Sequence, residues 1–77
     1  MGRFYFHIRN GDRRYDDRVG AELEDLREAW TYAIRDARRL VDEEVLDGPT
    51  AEHWVEIADS TRAVVASLPF DRALALH

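Results

Sequence analysis

The sequence predicts a small α+β domain of order ββαββ, in which a four-stranded, mainly antiparallel sheet carries one amphipathic helix on one face. Three observations lead to this prediction. Two segments alternate apolar and polar residues, a turn-forming stretch follows each of them, and the segment between them repeats apolar residues every three or four positions. We expect one domain over residues 1–70 and a C-terminal tail over residues 71–77.

The first strand is predicted at residues 3–9, where side chains alternate in character. One face would carry the apolar residues Phe4, Phe6 and Ile8. The other face would carry the polar and aromatic residues Arg3, Tyr5, His7 and Arg9. Such a strand is half-buried, with its apolar face against the core.

The second strand is predicted at residues 13–17, because Asn10 and Gly11 accept the positive φ angles of a tight hairpin turn. Charged residues dominate positions 13–18. Charged side chains discourage pairing with the sheet of another molecule, so this strand is expected at an edge. Residues 20–24 are interpreted as a connector.

The helix is predicted to begin after Asp25, which can cap its N-terminus while Glu28 reaches back to complete a capping box. The apolar periodicity continues to about Leu46, and Gly48 and Pro49 would end the helix. A second hairpin follows, with strands over residues 53–58 and 62–70 and a polar turn between them. Pro69 closes it, and the tail beyond is expected either to fray or to add a turn of helix.

The sheet face away from the helix is the predicted interaction surface. If Phe4, Phe6 and Ile8 face the helix, the alternation of the second hairpin sends Trp54 to the opposite face. The candidate interface residues on that face are Arg3, Tyr5, His7, Arg9, Trp54 and Glu56. A Trp on an open sheet face marks a site for a small protein partner or for self-association, unless the tail or a nearby loop covers it.

Single-stranded nucleic acid is the alternative partner, because aromatic residues among arginines on a sheet can stack and neutralise a strand. Residues 1–20 hold five Arg against three Asp. The whole chain has a net charge of −5 and a pI near 5.0, which disfavours the binding of a polyanion such as a nucleic acid. All 11 cationic residues are Arg. The exclusive use of Arg is explained as readily by the coding bias of a GC-rich genome as by the binding of nucleic acid.

Composition also bears on chemistry and location. The absence of Cys excludes disulfides and thiolate metal clusters and favours a reducing, cytoplasmic setting, and no apolar run approaches a membrane span. No nucleophile motif is present, and 77 residues leave little room for a deep cleft. His7 and His53 could meet across strands, but they lack metal-ligand spacing. We therefore expect no enzymatic activity, no cofactor and no metal.

The chain resembles a family of short bacterial proteins classed as a domain of unknown function and found largely in alphaproteobacteria. The resemblance rests on the opening Arg-Phe-Tyr-Phe-His-Ile-Arg-Asn-Gly string, residues 3–11, and on the Gly-Ala-Glu-Leu-Glu-Asp-Leu string, residues 20–26. Residues 59–62, Asp-Ser-Thr-Arg, depart from the family's Gly-containing turn. The resemblance implies a single ββαββ domain in a cytosolic bacterial setting, and it implies no activity, cofactor or partner.

Overall fold

The computed structural model describes residues 2–75 and has an α+β architecture. Its elements in chain order are β1 (Gly2–Asn10), β2 (Arg13–Tyr15), β3 (Ala21–Leu23), α1 (Leu26–Asp42), a 3-10 turn (Thr50–Glu52), β4 (His53–Ala58), β5 (Val64–Pro69) and α2 (Phe70–Ala75). The predicted antiparallel sheet with a helix packed on it is confirmed. The prediction of four strands in the order ββαββ is wrong, because the expected connector contains β3.

The five strands form one sheet, and every paired strand is antiparallel to its neighbour. Four of them lie in the order β2-β1-β4-β5, and the fifth, β3, pairs with β1. β3 pairs with the first half of β1, whereas β2 pairs with its second half, so both short strands share one edge. Three residues are too few to display an alternating pattern. This shortness explains why β3 was not predicted.

Helix α1 begins as predicted but ends at Asp42 rather than near Leu46. At its start the Asp25 carboxylate accepts a hydrogen bond from the Glu28 N–H at 2.9 Å. At its end Glu44 takes a left-handed conformation with φ of 55°, and its N–H donates to the Val41 carbonyl. The next N–H, at position 45, donates to the carbonyl at position 40. This is a Schellman cap with Glu in the usual Gly position, so the helix stops before Gly48.

The core lies between the sheet and the two helices. Three alanines of α1, Ala29, Ala33 and Ala37, are fully buried at four-residue spacing, which lets the helix approach the sheet closely. The largest fully buried side chains are Phe70, Ile57, Leu68 and Val55. Each such side chain contributes about 1.5–3 kcal/mol through burial, so these contacts hold the two layers together.

The segment expected as a tail is helical as far as the structure describes it. Phe70 and Ala73 of α2 are buried in the core, and α2 packs against α1. Residues 71–75 therefore add a helical turn on the α1 side of the sheet. The last two residues of the predicted tail, 76 and 77, lie outside the described residues.

The second hairpin turn is built without glycine. The Asp59 carboxylate accepts hydrogen bonds from the Thr61 N–H and hydroxyl and from the Ala63 N–H. Arg62 takes the left-handed conformation, with φ of 70°. The strand after the turn begins at Val64, two residues later than predicted. An Asp-centred turn thus closes the second hairpin.

Candidate interaction surface

The register of β1 against β4 places the candidate residues on one face. Phe6 pairs with Ile57 toward the helices, whereas His7 pairs with Glu56 and Arg9 pairs with Trp54 on the opposite side. We call this opposite side the outer face. Its central members are Tyr5, His7, Arg9, Trp54 and Glu56. The sixth candidate, Arg3, is held at the β3 edge by Glu22 at 3.3 Å and by the Val19 carbonyl at 2.8 Å.

His7 belongs to the outer face but does not present its ring to solvent. Only 2% of the residue is exposed, and Nδ1 accepts a hydrogen bond from the Asp17 N–H at 2.9 Å. Burial lowers the pKa of His7 below its usual 6.5, and the charge of Arg14 lowers it further, against a smaller opposing effect of nearby carboxylates. His7 is therefore neutral, and its Nδ1 accepts the hydrogen bond that holds the segment of residues 16–20 in place.

Asp17 fills the gap between β2 and β3 along the edge of β1. Its carboxylate accepts hydrogen bonds from the N–H groups of Phe6 at 3.1 Å, Val19 at 3.0 Å and Gly20 at 3.1 Å. Burial alone would raise the pKa of Asp17, but these three donors lower it below its usual value. The side chain thus substitutes for a missing strand residue by satisfying the Phe6 donor.

A cluster of charges occupies the centre of the outer face. Glu56, whose side chain is 14% exposed, lies 3.5 Å from the Arg9 guanidinium and 3.7 Å from that of Arg14. Arg14 also pairs with Asp16 at 2.8 Å. Arg9 Nε and Glu56 Oε1 are buried and make no hydrogen bond within residues 2–75. The two atoms are therefore charged groups with unused hydrogen-bonding capacity.

Two aromatic rings flank this cluster, and each is faced by a guanidinium. Arg9 lies over Trp54 at 5.4 Å from the ring centroid, and Arg62 lies over Tyr5 at 4.2 Å. The alternative in which the tail covers Trp54 is wrong for residues 71–75, because α2 packs on the α1 side. Trp54 is half-buried, with Pro69 beside it on β5.

Sequence patterns miss the roles of three residues at the outer face. They indicate Asp17 only as an edge-protecting charge and give Arg62 no role in the site. They indicate Arg14 as an edge-protecting charge and as one of the arginines of the nucleic-acid alternative, but not as a partner of Glu56. A signal for Asp17 exists, since an Asp followed by Gly three positions later is typical of a side-chain-stabilised turn. Arg62 reaches Tyr5 through tertiary structure alone, so no local pattern could have identified it.

The two histidines considered for a metal lie on opposite faces. His7 is on the outer face, while His53 points with Val55 and Ile57 toward the helices. Within the described chain, no group of three or more His, Cys, Asp or Glu residues has the geometry to hold a metal ion. Nor is any helix between residues 2 and 75 long and apolar enough to cross a membrane.

Comparison with known proteins identifies the family of the chain. A family model described as a domain of unknown function, DUF6894, matches residues 3–71. The chain belongs to this family. No curated protein and no solved structure matches it significantly. The predicted membership in a family classed as a domain of unknown function is thus confirmed, whereas the shared opening motif and the alphaproteobacterial distribution stay predictions.

Proposed function

We propose that this DUF6894 domain is a small, non-enzymatic protein-interaction domain that self-associates through its outer face. The observation that carries the proposal is the position of Trp54. Both helices pack on the other side of the sheet, so neither lies over this residue. A cytoplasmic setting is part of the proposal and is supported by a sequence without cysteine.

The outer face combines apolar ends with a charged centre. Trp54 and Pro69 form one end, and the exposed Val64, which pairs with Ala58, lies at the other end beyond Tyr5. Aromatic residues and Arg are enriched in protein interfaces. The composition of this face therefore suits a protein partner.

A second copy of the chain is the partner that the charges favour. A twofold interface brings one surface against itself, so it must offer both members of each complementary pair. The outer face does so, because Arg9 and Arg14 adjoin Glu56 and Asp16. The self-complementary charges of this face therefore suit a second copy of the chain.

Nucleic acid is the weaker candidate for this face. Binding a phosphate backbone would require Arg9 and Arg14 to leave Glu56. The rings needed for stacking already face guanidinium groups, Tyr5 that of Arg62 and Trp54 that of Arg9. A net charge of −5 adds repulsion at long range. We therefore treat strand binding as an outcome of the test below.

Sedimentation equilibrium over a wide range of protein concentration tests the proposal. We expect the mass of the wild type to rise from monomer to dimer, and Trp54→Arg to remain a monomer. Leu26→Arg is the control, because Leu26 is an exposed apolar residue that lies on α1, away from the outer face. A wild type that stays monomeric at every concentration would contradict self-association.

Oligonucleotide binding separates the two candidates. Mixed single strands at low salt should not change the electrophoretic mobility of the protein. Salt-sensitive binding that weakens in both Arg9→Ala and Tyr5→Ala would instead favour the nucleic-acid function.

A further inference from the structure

We propose that a cavity on the helix side of the sheet binds a small neutral ligand that is largely apolar and carries one hydrogen-bond donor, of the size of phenol or indole. The cavity lies between β1, β2 and the segment that follows α1. Its lining includes Ile8, Tyr15, Leu40, Val45, Leu46 and His53. We call it the His53 cavity. The inference is independent of self-association through the outer face.

The volume of the His53 cavity, about 240 Å³, sets the size of the ligand. A dry cavity of about 150 Å³ lined by apolar residues is enough to hold benzene. A substituted or fused ring therefore fits, and a chain-like polymer does not. Val45 and Tyr15 line the cavity and are both exposed, so the cavity is open to solvent on their side.

His53 supplies the polar group that selects the ligand. The residue is 2% exposed, and its Nδ1 lies 2.8 Å from the Pro49 carbonyl oxygen. A carbonyl only accepts, so the neutral ring carries its proton on Nδ1 and leaves Nε2 as an acceptor. His53 lines the cavity, so a ligand hydroxyl or ring N–H that reaches Nε2 would donate a hydrogen bond to it.

The charge around the cavity favours a neutral ligand. Asp47 contributes to the lining, and the chain as a whole is negative, so an anion would be repelled. A cation would lose its hydration against the apolar walls without a fully buried carboxylate to replace it. The combination of apolar walls, the His53 acceptor and the negative charge of Asp47 therefore favours a neutral ligand that carries a donor.

Two contacts hold the polar side of the cavity in place before any ligand binds. The Asn10 amide donates to the carbonyl of Asp47 at 3.0 Å, which ties the segment after α1 to β1. The Phe70 ring lies 5.6 Å from the His53 ring at a tilt of 53°, which restricts the imidazole. A site whose acceptor is fixed in advance needs little ordering upon binding.

Amide chemical shifts recorded during titration with indole, benzene and benzoate test this proposal. For indole we expect saturable shifts confined to residues that line the His53 cavity. Benzene, which lacks a donor, should bind about tenfold more weakly, a factor that matches the loss of one hydrogen bond. Benzoate should cause no saturable shift.

Two substitutions test separately whether the ligand binds in the His53 cavity and whether His53 accepts its hydrogen bond. His53→Phe should weaken indole binding about tenfold while leaving benzene binding unchanged. Val45→Trp, at an exposed position, should fill the cavity and abolish binding of both. Val64→Trp makes a similar change on the outer face and should bind like the wild type.

Three outcomes would overturn the proposal. They are the absence of any saturable shift with indole, equal affinity for indole and benzene, and unchanged indole affinity in Val45→Trp. Because these readouts do not depend on oligomeric state, they also distinguish failure of the ligand site from failure of the self-association proposal.

Discussion

The two buried histidines, one on each face of the sheet, use the same ring atom in opposite ways. His7 and His53 are each 2% exposed. On the outer face His7 Nδ1 accepts from the Asp17 N–H, whereas on the helix side His53 Nδ1 donates to the Pro49 carbonyl. Burial alone therefore does not indicate the role of a histidine, since the partner of Nδ1 determines which atom is left free.

The difference extends to the segments around the two rings. The segment over His7, residues 16–20, is held by three hydrogen bonds that the Asp17 carboxylate accepts from backbone N–H groups and by one that the Asp17 N–H donates to His7. The segment near His53, residues 43–49, is tied to β1 by the single bond from Asn10 to the Asp47 carbonyl. We expect substitutions in the first segment to destabilise the fold more than matched substitutions in the second.

The largest difference in stability is expected between the alanine variants of two glycines, one in each segment. Gly20, at φ of 71°, has no room for a side chain, because a Cβ would lie 2.7 Å from the Phe4 carbonyl oxygen. Gly48 has a φ of 90°, but its nearest neighbour would be 4.0 Å away. Gly20→Ala should lower the free energy of unfolding by about 3 kcal/mol, and Gly48→Ala by about 1 kcal/mol. Urea denaturation measures both free energies, and equal losses in the two variants would contradict this prediction.

The next contrast concerns two aspartates. Asp17→Ala should lower the free energy of unfolding by about 2 kcal/mol, because it leaves the Phe6 N–H without an acceptor. Asp47 holds Asn10 through its backbone carbonyl, which alanine retains. Asp47→Ala should therefore stay within about 0.5 kcal/mol of the wild type. Chemical denaturation of both variants measures the difference, and a neutral Asp17→Ala would show that the carboxylate is dispensable.

A smaller effect is expected from pH. The pKa of His7 lies below its usual 6.5 in the folded protein, so below pH 6.5 the unfolded chain binds more protons than the folded one. Stability should fall as pH falls through this range, by at most about 1.4 kcal/mol per pH unit from this residue. His7→Asn keeps an acceptor for the Asp17 N–H and should remove this dependence. An unchanged pH profile in His7→Asn would assign the dependence to other groups.

The smallest expected change is a gain in stability beside the His53 cavity. Glu44 occupies the left-handed position of the α1 cap with φ of 55°, which glycine adopts without strain. Glu44→Gly should raise the free energy of unfolding by about 0.5–1 kcal/mol. The thermal midpoint gives a convenient readout. A decrease would mean that the Glu44 side chain stabilises the cap in another way.

The periodic parts of the fold could be predicted from the sequence. The alternation of residues 3–9 assigned Phe6 and His7 to opposite faces, and Asp25 was identified as the cap of α1, because both follow from local rules. The β3 strand was too short to show a pattern. The early end of α1 depends on Glu44 taking a conformation that sequence rules assign to glycine.

The candidate site was only partly predictable for a related reason. Alternation identified which side chains share the outer face, but it could not show that the ring of His7 is closed off by Asp17 or that Arg62 covers Tyr5. Both contacts join segments that come together only in the folded chain. The His53 cavity likewise depends on the packing of the segment after α1 against β1 and β2.

Nitrogen-15 spectra of the histidine rings at neutral pH test the contrast between the two faces most directly, because they report which ring nitrogen carries the proton. We predict that His7 has its proton on Nε2, with Nδ1 accepting from Asp17, and that His53 has its proton on Nδ1. Finding the same tautomer in both rings, or a fully charged His7, would contradict the account.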